Sequence, residues 1–442
     1  MDIRFWGTRG SVAKPGPTTL RHGGNTSCVE VRGDNGTLIV LDCGTGAHGL
    51  GQALMARGPG CDGHLMITHT HWDHIQGFPF FAPLFVPGNN WDIYAPGAIG
   101  RQLERTLAGQ MEYNYFPVTL AQLGATIRFH DLAEGEFTIG DVRVTAQFLN
   151  HPALTLGYRL QCGGNAIVYS VDHEPHAENP AARAVGDPPR HKEDQRHIDF
   201  LASADLVIHD SQYTIAEYPQ KTGWGHTPAE WAVDYAVAAG VKRLALTHHD
   251  PLRDDDAVDR VVELCRQRAR AAGSPIEIFG ACEGQVLHFE ARSGATSAVA
   301  PAPQAATSTG PRTILVADDD PTIVRLLTLT LEQDGFRVVS ANDGASALQL
   351  ARQERPHLIL LDWQMPQAEG IEVTRRLRSE ADPALRDVPV VLITSQAGPE
   401  NTAAGFAAGV TDYLTKPFRP AHVRARVQAW LLRRPAEVPR TP

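Results

Sequence analysis

The chain has 442 residues, of which 43% are hydrophobic and 20% charged, and its formal net charge is −10 at pH 7. This length predicts about two or three domains, and the composition excludes a disordered or collagen-like chain. No uninterrupted apolar run is long enough for a membrane span, so we expect no membrane partner. The opening MDIRFWGTRG lacks a signal-peptide pattern, and the six cysteines are scattered without a CxxC pair. We therefore expect a cytoplasmic protein.

Charge and histidine are distributed unevenly along the chain. Residues 1–311 carry 24 basic and 34 acidic residues together with 17 of the 19 histidines, whereas residues 312–442 carry 16 basic and 16 acidic residues. An acidic, histidine-rich segment argues against a nucleic-acid partner and for a metal site.

The stretch Ser293–Pro311 reads SGATSAVAPAPQAATSTGP and contains no charge and no periodicity. Such a composition cannot bury a core and is typical of a linker. We therefore predict a first domain over residues 1–292, a linker over 293–311, a second domain over 312–434 and a tail over 435–442.

The first segment alternates short apolar runs with turn residues and helical patterns, which is typical of an α/β domain. The predicted helices include Ala229–Ala239 and Ala257–Ala271. The predicted strands are Thr37–Leu41, His64–Thr68, Val142–Phe148, Ala166–Ser170, Leu206–His209, Leu244–Thr247 and Val286–Phe289.

The densest chemical pattern follows the second of these strands and reads His69-Thr-His71-Trp-Asp73-His74. Histidines two apart at a strand end point the same way and can hold one ion, and the next two side chains can reach a second. Further ligand types stand at other strand ends. These are His151, Asp172 and His248. Five histidines and two aspartates suffice for two divalent ions with one bridging carboxylate.

At these residues the sequence resembles the metallo-β-lactamase-fold hydrolases, over nearly all of residues 1–292. The resemblance implies an αββα sandwich and two divalent ions, with Zn²⁺ favoured and Mn²⁺ or Fe as alternatives. It implies a first site of His69, His71 and His151, a second site of Asp73, His74 and His248, and Asp172 as the bridge. His249 is adjacent to His248, and we favour His248 because it continues the strand directly.

The segment Gly225-His226-Thr227 resembles the Gly-His-Ser/Thr segment of the phosphodiesterase branch, which includes ribonuclease Z. The resemblance implies that His226 contacts the scissile phosphate and assists the leaving oxygen. In the mechanism that we expect, Asp73 accepts the proton of the attacking water while it binds an ion. We expect Asp210 to orient a ligand histidine. The short distance along the chain from His151 to Asp172 leaves no room for a tRNA-gripping arm, so a small phosphodiester, foremost a cyclic nucleotide, is the expected substrate.

The second segment alternates strands and helices regularly, which predicts a parallel sheet wrapped by helices. We expect strands one, three and five to lie side by side, so that their ends gather acidic groups and one ammonium around a Mg²⁺ ion. The predicted elements are Thr313–Ala317, Thr322–Gln333, Arg337–Ala341, Gly344–Glu354, Leu358–Leu361, Gly370–Glu380, Val388–Thr394, Asn401–Gly409, Asp412–Thr415 and Ala421–Arg434.

This spacing resembles the receiver domain of response regulators, a flavodoxin-like (βα)5 fold, over residues 312–434. The resemblance implies phosphorylation of Asp362 and Mg²⁺ bound by Asp318, Asp319, Asp362 and the carbonyl of Gln364. It further implies phosphoryl binding by Thr394 and Lys416, with Tyr413 as the aromatic switch.

Together the two segments predict a two-component response regulator whose output is a dinuclear-metal phosphodiesterase. A sensor histidine kinase or phosphotransfer protein would phosphorylate Asp362 and thereby regulate hydrolysis. Two alternatives remain open, namely hydrolysis of a lactone or thioester, and a non-catalytic phosphorelay adaptor. A homodimer also remains open.

Overall fold

The computed structural model of the chain describes residues 1–58, 60–97, 102–176, 191–292, 312–395 and 405–432. The chain divides into two compact units, Met1–Ala305 and Ala306–Pro442. The predicted linker over 293–311 and the predicted tail over 435–442 lie outside the described residues, so the domain boundaries stay predictions.

The first unit contains two seven-stranded sheets, with strand orders β14-β1-β2-β3-β4-β5-β6 and β13-β12-β11-β10-β9-β8-β7. Their strands are β1 (Asp2–Gly7), β2 (Cys28–Arg32), β3 (Leu38–Leu41), β4 (Gly63–Met66), β5 (Asn90–Pro96), β6 (Thr126–Leu132), β7 (Gly135–Ile139), β8 (Val142–Phe148), β9 (Leu156–Cys162), β10 (Asn165–Ser170), β11 (Leu206–Asp210), β12 (Arg243–Thr247), β13 (Glu277–Gly280) and β14 (Val286–His288). Two tyrosines of the second sheet hydrogen-bond to residues that directly follow strands of the first: the Tyr158 hydroxyl donates to Ile67 O, and the Tyr169 hydroxyl donates to Asp42.

Helices cover the outer faces of both sheets, which confirms the predicted αββα sandwich. One hydrophobic cluster packs α1 and α3 against the first sheet, and another packs α4, α5 and α6 against the second. The helices of this unit are α1 (Gly46–Met55), α2 (Trp72–Ile75), α3 (Gln102–Gln110), α4 (Lys192–Leu201), α5 (Ala229–Ala238) and α6 (Asp255–Ala271).

The second unit contains one parallel sheet with the order β16-β15-β17-β18-β19. The expectation that strands one, three and five lie side by side is therefore wrong, because β18 separates β17 from β19. The confirmed (βα)5 architecture consists of β15 (Thr313–Ala317), α7 (Pro321–Glu332), β16 (Arg337–Ala341), α8 (Gly344–Glu354), β17 (Leu358–Asp362), α9 (Gly370–Arg378), α10 (Pro383–Arg386), β18 (Val390–Thr394), β19 (Asp412–Thr415) and α11 (Pro420–Leu432). Residues 401–404 of the predicted fourth helix lie outside the described part of the chain.

Hydrophobic side chains fill both faces of this second sheet, as expected for parallel strands covered by helices. All five residues of β15, of β17 and of β18 are buried. None of the helices in the described part of the chain is both long and apolar enough to cross a membrane.

Candidate functional site

The predicted ligand residues lie at or after the ends of strands, on one edge of the first unit. The strands β10, β11 and β12 run parallel, so the residues that follow or end them gather together. Asp172 follows β10 with a backbone φ of 59°, and His248 follows β12 with a φ of 58°. Left-handed backbone is rare for residues other than glycine, and such strain concentrates at functional sites.

Three histidines and one oxygen of Asp172 form the first group. The ligand-type atoms of His69, His71, His151 and Asp172 all lie within 4.8 Å of one another. His71 Nδ1 is 3.1 Å from His151 Nε2. Asp172 Oδ2 is 3.6 Å from both His69 Nε2 and His151 Nε2.

The other oxygen of Asp172 faces the second group, which consists of Asp73, His74 and His248. Asp172 Oδ1 lies 3.3 Å from His74 Nε2 and 3.1 Å from His248 Nε2. Asp73 Oδ2 lies 3.3 Å and 3.1 Å from the same two nitrogens. Asp172 therefore stands between the two groups with one oxygen toward each.

These spacings fit two metal ions. Ligand atoms held about 2.0–2.1 Å from a tetrahedral ion lie about 3.3 Å from one another, which is close to the distances in both groups. His69 Nε2 and Asp172 Oδ1 are buried and have no hydrogen-bond partner among the described residues. Since buried polar atoms are normally satisfied, these two atoms point to a cation as their partner.

The structure also separates His248 from His249. His249 Nε2 lies 3.2 Å from the carbonyl oxygen of Ala281, and its ring packs edge-on against His22. His249 therefore lies away from the cluster, while His248 Nε2 faces Asp73 and Asp172. This arrangement supports the preference for His248.

Burial and charge divide the histidines into two types. Burial lowers the pKa of His69, and it lowers the pKa of His151 to about 3, so both imidazoles are neutral and able to bind a cation. Burial opposes a charge on His74, but the carboxylates of Asp73 and Asp172 outweigh it and raise its pKa. Burial also opposes a charge on Asp172, yet the surrounding histidines, foremost His248, hold its pKa well below the usual range.

Each of three candidate ligand histidines donates one ring N–H to a fixed acceptor, which sets the tautomer and the ring orientation. His74 Nδ1 donates to Asp42 Oδ2 at 2.8 Å, and His151 Nδ1 donates to Gly225 O at 2.9 Å. His248 Nδ1 donates to Gln212 Oε1 at 2.9 Å. The roles of Asp42 and Gln212 were not predicted, although Asp42 directly follows the buried apolar strand β3.

His226 lies beside this cluster, 3.9 Å from Asp172 Oδ2, and its Nδ1 is 2.9 Å from Asp210 Oδ2. Burial opposes a charge on His226, but Asp210 and Asp172 outweigh it and raise its pKa to about 9. The expectation for Asp210 was wrong in its target. The histidine nearest to its carboxylate is His226, at 2.9 Å, whereas Asp210 Oδ1 is 4.0 Å from the ligand-type His248.

A second, acidic cluster lies at the strand ends of the second unit. One oxygen each from Asp318, Asp319 and Asp362 lies within 4.8 Å of the others. Lys416 Nζ is 2.8 Å from Asp318 Oδ2 and donates to Asp362 Oδ1 at 2.6 Å. Burial raises the pKa of Asp318 despite this ammonium. Oxygen ligands in this number suit one Mg²⁺ ion.

The remaining predicted residues of this unit lie on or just after the strands β17, β18 and β19. Gln364 N donates to Asp362 Oδ2 at 2.9 Å, which places that backbone segment beside the acceptor carboxylate. Thr394 ends β18 and is buried. Tyr413 is buried on β19, with its ring 6.3 Å from that of Trp363.

Comparisons with known protein families match both units. Residues 37–249 match the family described as the beta-lactamase superfamily domain, and residues 314–428 match the response regulator receiver domain. The chain is 40% identical over 128 residues to the DNA-binding response regulator MtrA of Mycolicibacterium smegmatis, covering 28% of this chain and 54% of that protein. The chain thus spans about half the length of the curated relatives it matches.

Solved structures resemble the first unit. The metallo-beta-lactamase fold protein YhfI of Bacillus subtilis is 19% identical with a TM-score of 0.46, covering 65% of this chain and 99% of that chain. The short form of human tRNase Z is 22% identical with a TM-score of 0.43, covering 66% of this chain and 100% of that chain.

Proposed function

The chain joins a beta-lactamase superfamily domain to a response regulator receiver domain, and from this premise we propose that the first domain is a metal-dependent phosphodiesterase. Its substrate is a small phosphodiester, with cyclic nucleotides as the leading class. The single observation that carries this proposal is the position of His226, an imidazole that Asp210 Oδ2 holds at 2.9 Å beside the candidate metal-ligand cluster.

Seven side chains would hold two divalent cations, namely His69, His71, His151, Asp73, His74, His248 and the bridging Asp172. Such cations supply Lewis acidity and lower the pKa of a water molecule. Zn²⁺ suits this set of nitrogen and oxygen ligands, and Mn²⁺ or Fe would also be accepted.

The protein's own groups move the protons. Asp73 Oδ2 accepts a hydrogen bond from Ser11 N at 2.7 Å, whereas Asp73 Oδ1 has no hydrogen-bond partner in the described part of the chain and can accept a proton from the attacking water. His226 Nδ1 is held by Asp210, so Nε2 is the nitrogen that can donate to the departing ester oxygen. The ester oxygen of an alkyl phosphodiester departs as an alkoxide, which is a strong base and therefore needs this proton.

Comparing the native protein with His226→Ala tests this activity. The metal-loaded proteins are given cyclic nucleotides, bis(p-nitrophenyl) phosphate, a lactone and a thioester. We expect turnover of diesters only, and a loss of about 100-fold or more in the variant on cyclic nucleotides, the range of general acid catalysis. Turnover of the lactone or thioester that survives in His226→Ala would contradict the proposal.

We further propose that phosphorylation of Asp362 by a histidine kinase or phosphotransfer protein in the cytoplasm regulates this hydrolysis. The Mg²⁺ ion would be held by the acidic cluster of Asp318, Asp319 and Asp362, while Lys416 and Thr394 would bind the phosphoryl group. Turnover that is identical with and without beryllofluoride, a phosphoryl mimic, would contradict this regulation.

A further inference from the structure

The carboxylate of Glu174 accepts three hydrogen bonds close to the candidate site. Glu174 is 6% exposed. Its Oε1 accepts from the Tyr218 hydroxyl at 2.7 Å and from Gly223 N at 2.6 Å, and its Oε2 accepts from Gly225 N at 2.8 Å. Three donors of the segment Tyr218–Gly225 therefore converge on this one buried carboxyl group, which ties the segment to Glu174.

The backbone of Glu174 is tied to the segment that carries the ligand His151. Glu174 N donates to Asn150 O at 2.7 Å, and the Asn150 side-chain amide donates to Glu174 O at 2.8 Å. Glu174 also lies two residues after Asp172. One residue therefore connects the segments of the bridging carboxylate, of His151 and of the loop before His226.

Gly225 links the loop held by Glu174 to two residues of the candidate site, His151 and His226. Its carbonyl accepts the hydrogen bond of His151, and the next residue is His226. Gly225 has a φ of 90°, and a Cβ here would lie 2.1 Å from His151 Nδ1. Because the packing is so close, a shift of this loop would displace His226 and the partner of His151 together.

We propose that Glu174 is a positioning residue, which holds the Tyr218–Gly225 loop so that His226 reaches the leaving oxygen. This role rests on the proposed phosphodiesterase function. Glu174 is not among the predicted site residues, and its partners follow it by 44 to 51 positions, so its role is not visible in the sequence.

The variant Glu174→Gln changes the hydrogen bonding at known atoms. An amide offers one oxygen and one NH₂ donor, while both Gly223 N and Gly225 N need an acceptor. At least one of these backbone N–H groups therefore loses its partner in either amide orientation. We expect the loop to move and His226 to lose its alignment with the leaving oxygen.

The experiment compares kcat for methyl phenyl phosphate and methyl p-nitrophenyl phosphate, because the poorer phenolate leaving group depends more on proton donation. We expect Glu174→Gln to lower kcat about tenfold more on the phenyl ester. In the His226→Ala background, Glu174→Gln should cost much less than in the native protein, because residues that act through one another are non-additive.

A matched control is Glu230→Gln. Glu230 is also buried, and its Oε2 accepts a backbone hydrogen bond from Ile215 N at 3.0 Å. This variant should leave the ratio of the two kcat values unchanged. If Glu174→Gln does not fold, Tyr218→Phe removes one of the three donors and should give a smaller loss with the same leaving-group dependence.

The outcomes separate the two proposals. Equal losses on both esters, or a full additional loss in the His226→Ala background, overturn the role of Glu174 while native turnover upholds the phosphodiesterase. Absence of turnover by the native, metal-loaded protein on every diester overturns the proposed function and this role with it.

Discussion

Asp42 Oδ2 accepts a hydrogen bond from His74 Nδ1 across 2.8 Å, and both side chains are completely buried. The same carboxylate accepts from Thr68 N at 2.7 Å and from the Tyr169 hydroxyl at 2.9 Å. Every neighbour is a donor, so the carboxylate is held in place and in turn fixes the His74 ring with Nε2 toward Asp172. A carboxylate behind a ligand histidine raises its basicity and sets its orientation.

Replacement of Asp42 by Asn should therefore weaken metal binding. An amide cannot accept from all three donors, so His74 loses its fixed orientation. We expect zinc affinity to fall by about 10–100-fold, measured by competition with a chromophoric chelator. Asp141→Asn is the control, since Asp141 accepts from Thr37 and Asn35 away from the cluster. Unchanged affinity in Asp42→Asn would contradict the role of Asp42.

Two glycines of one loop provide a matched pair. Gly223 and Gly225 have φ values of 80° and 90°, so alanine strains the backbone at both positions by about 1–2 kcal/mol. Only at Gly225 would the added Cβ meet a candidate metal ligand, His151, whose Nδ1 would be 2.1 Å away, whereas nothing lies within 4 Å at Gly223. Gly225→Ala should reduce the zinc content of the purified protein by about one ion, and Gly223→Ala should keep it. An equal zinc content in the two variants would show that the close packing of Gly225 against His151 is unimportant for zinc binding.

Removal of metal should destabilise the first domain. The seven candidate ligands are mutually close and, apart from His71, buried, so cations that bind only the folded state stabilise it by mass action. With free zinc at about 1,000 times its dissociation constant, the gain is about 4 kcal/mol, or about 10 °C in Tm. Calorimetry with zinc and with a chelator measures this shift. The doubly substituted His71→Ala, His248→Ala protein should show no shift, and a shift as large as the native one would contradict the assigned ligands.

The receiver domain offers its own matched pair of aspartates. Asp362 is the last residue of β17, and its carboxylate lies 2.6 Å from Lys416 Nζ. Asp320 instead caps α7, because its carboxylate accepts a hydrogen bond from Thr322 N at 2.8 Å. Incubation with acetyl phosphate and Mg²⁺ should phosphorylate the native protein and Asp320→Asn but not Asp362→Asn. Asparagine also caps helices well, so the control should fold normally. Phosphate on Asp362→Asn, detected by mass spectrometry, would show that another residue is the acceptor.

The sequence predicted the fold best where periodicity was complete. Val142–Phe148 alternates apolar and polar residues and coincides with β8, and β15, β16 and β19 of the receiver also coincide with predicted strands. Seven strands of the first unit were missed, because mixed short runs carry a weak signal; these are β1, β2, β5, β6, β7, β9 and β13. The position of β19 was mispredicted because strand order is a property of tertiary packing.

The site residues also divide into those that could be predicted from the sequence and those that could not. His69, His71, Asp73 and His74 lie within six positions, so their joint chemistry was visible in the sequence. Asp42, Gln212 and Glu174 act through hydrogen bonds to residues 32 to 51 positions away. Only the folded sheets, with β10, β11 and β12 ending at one edge, bring these partners together.

The most direct test of the central claim measures steady-state hydrolysis of cyclic nucleotides and bis(p-nitrophenyl) phosphate by protein loaded with two equivalents of zinc. We predict turnover of at least one diester that disappears in the equally folded His71→Ala variant. A native protein that binds both ions and hydrolyses no phosphodiester, or hydrolysis that persists in His71→Ala, would contradict the assignment of this cluster as a phosphodiesterase centre.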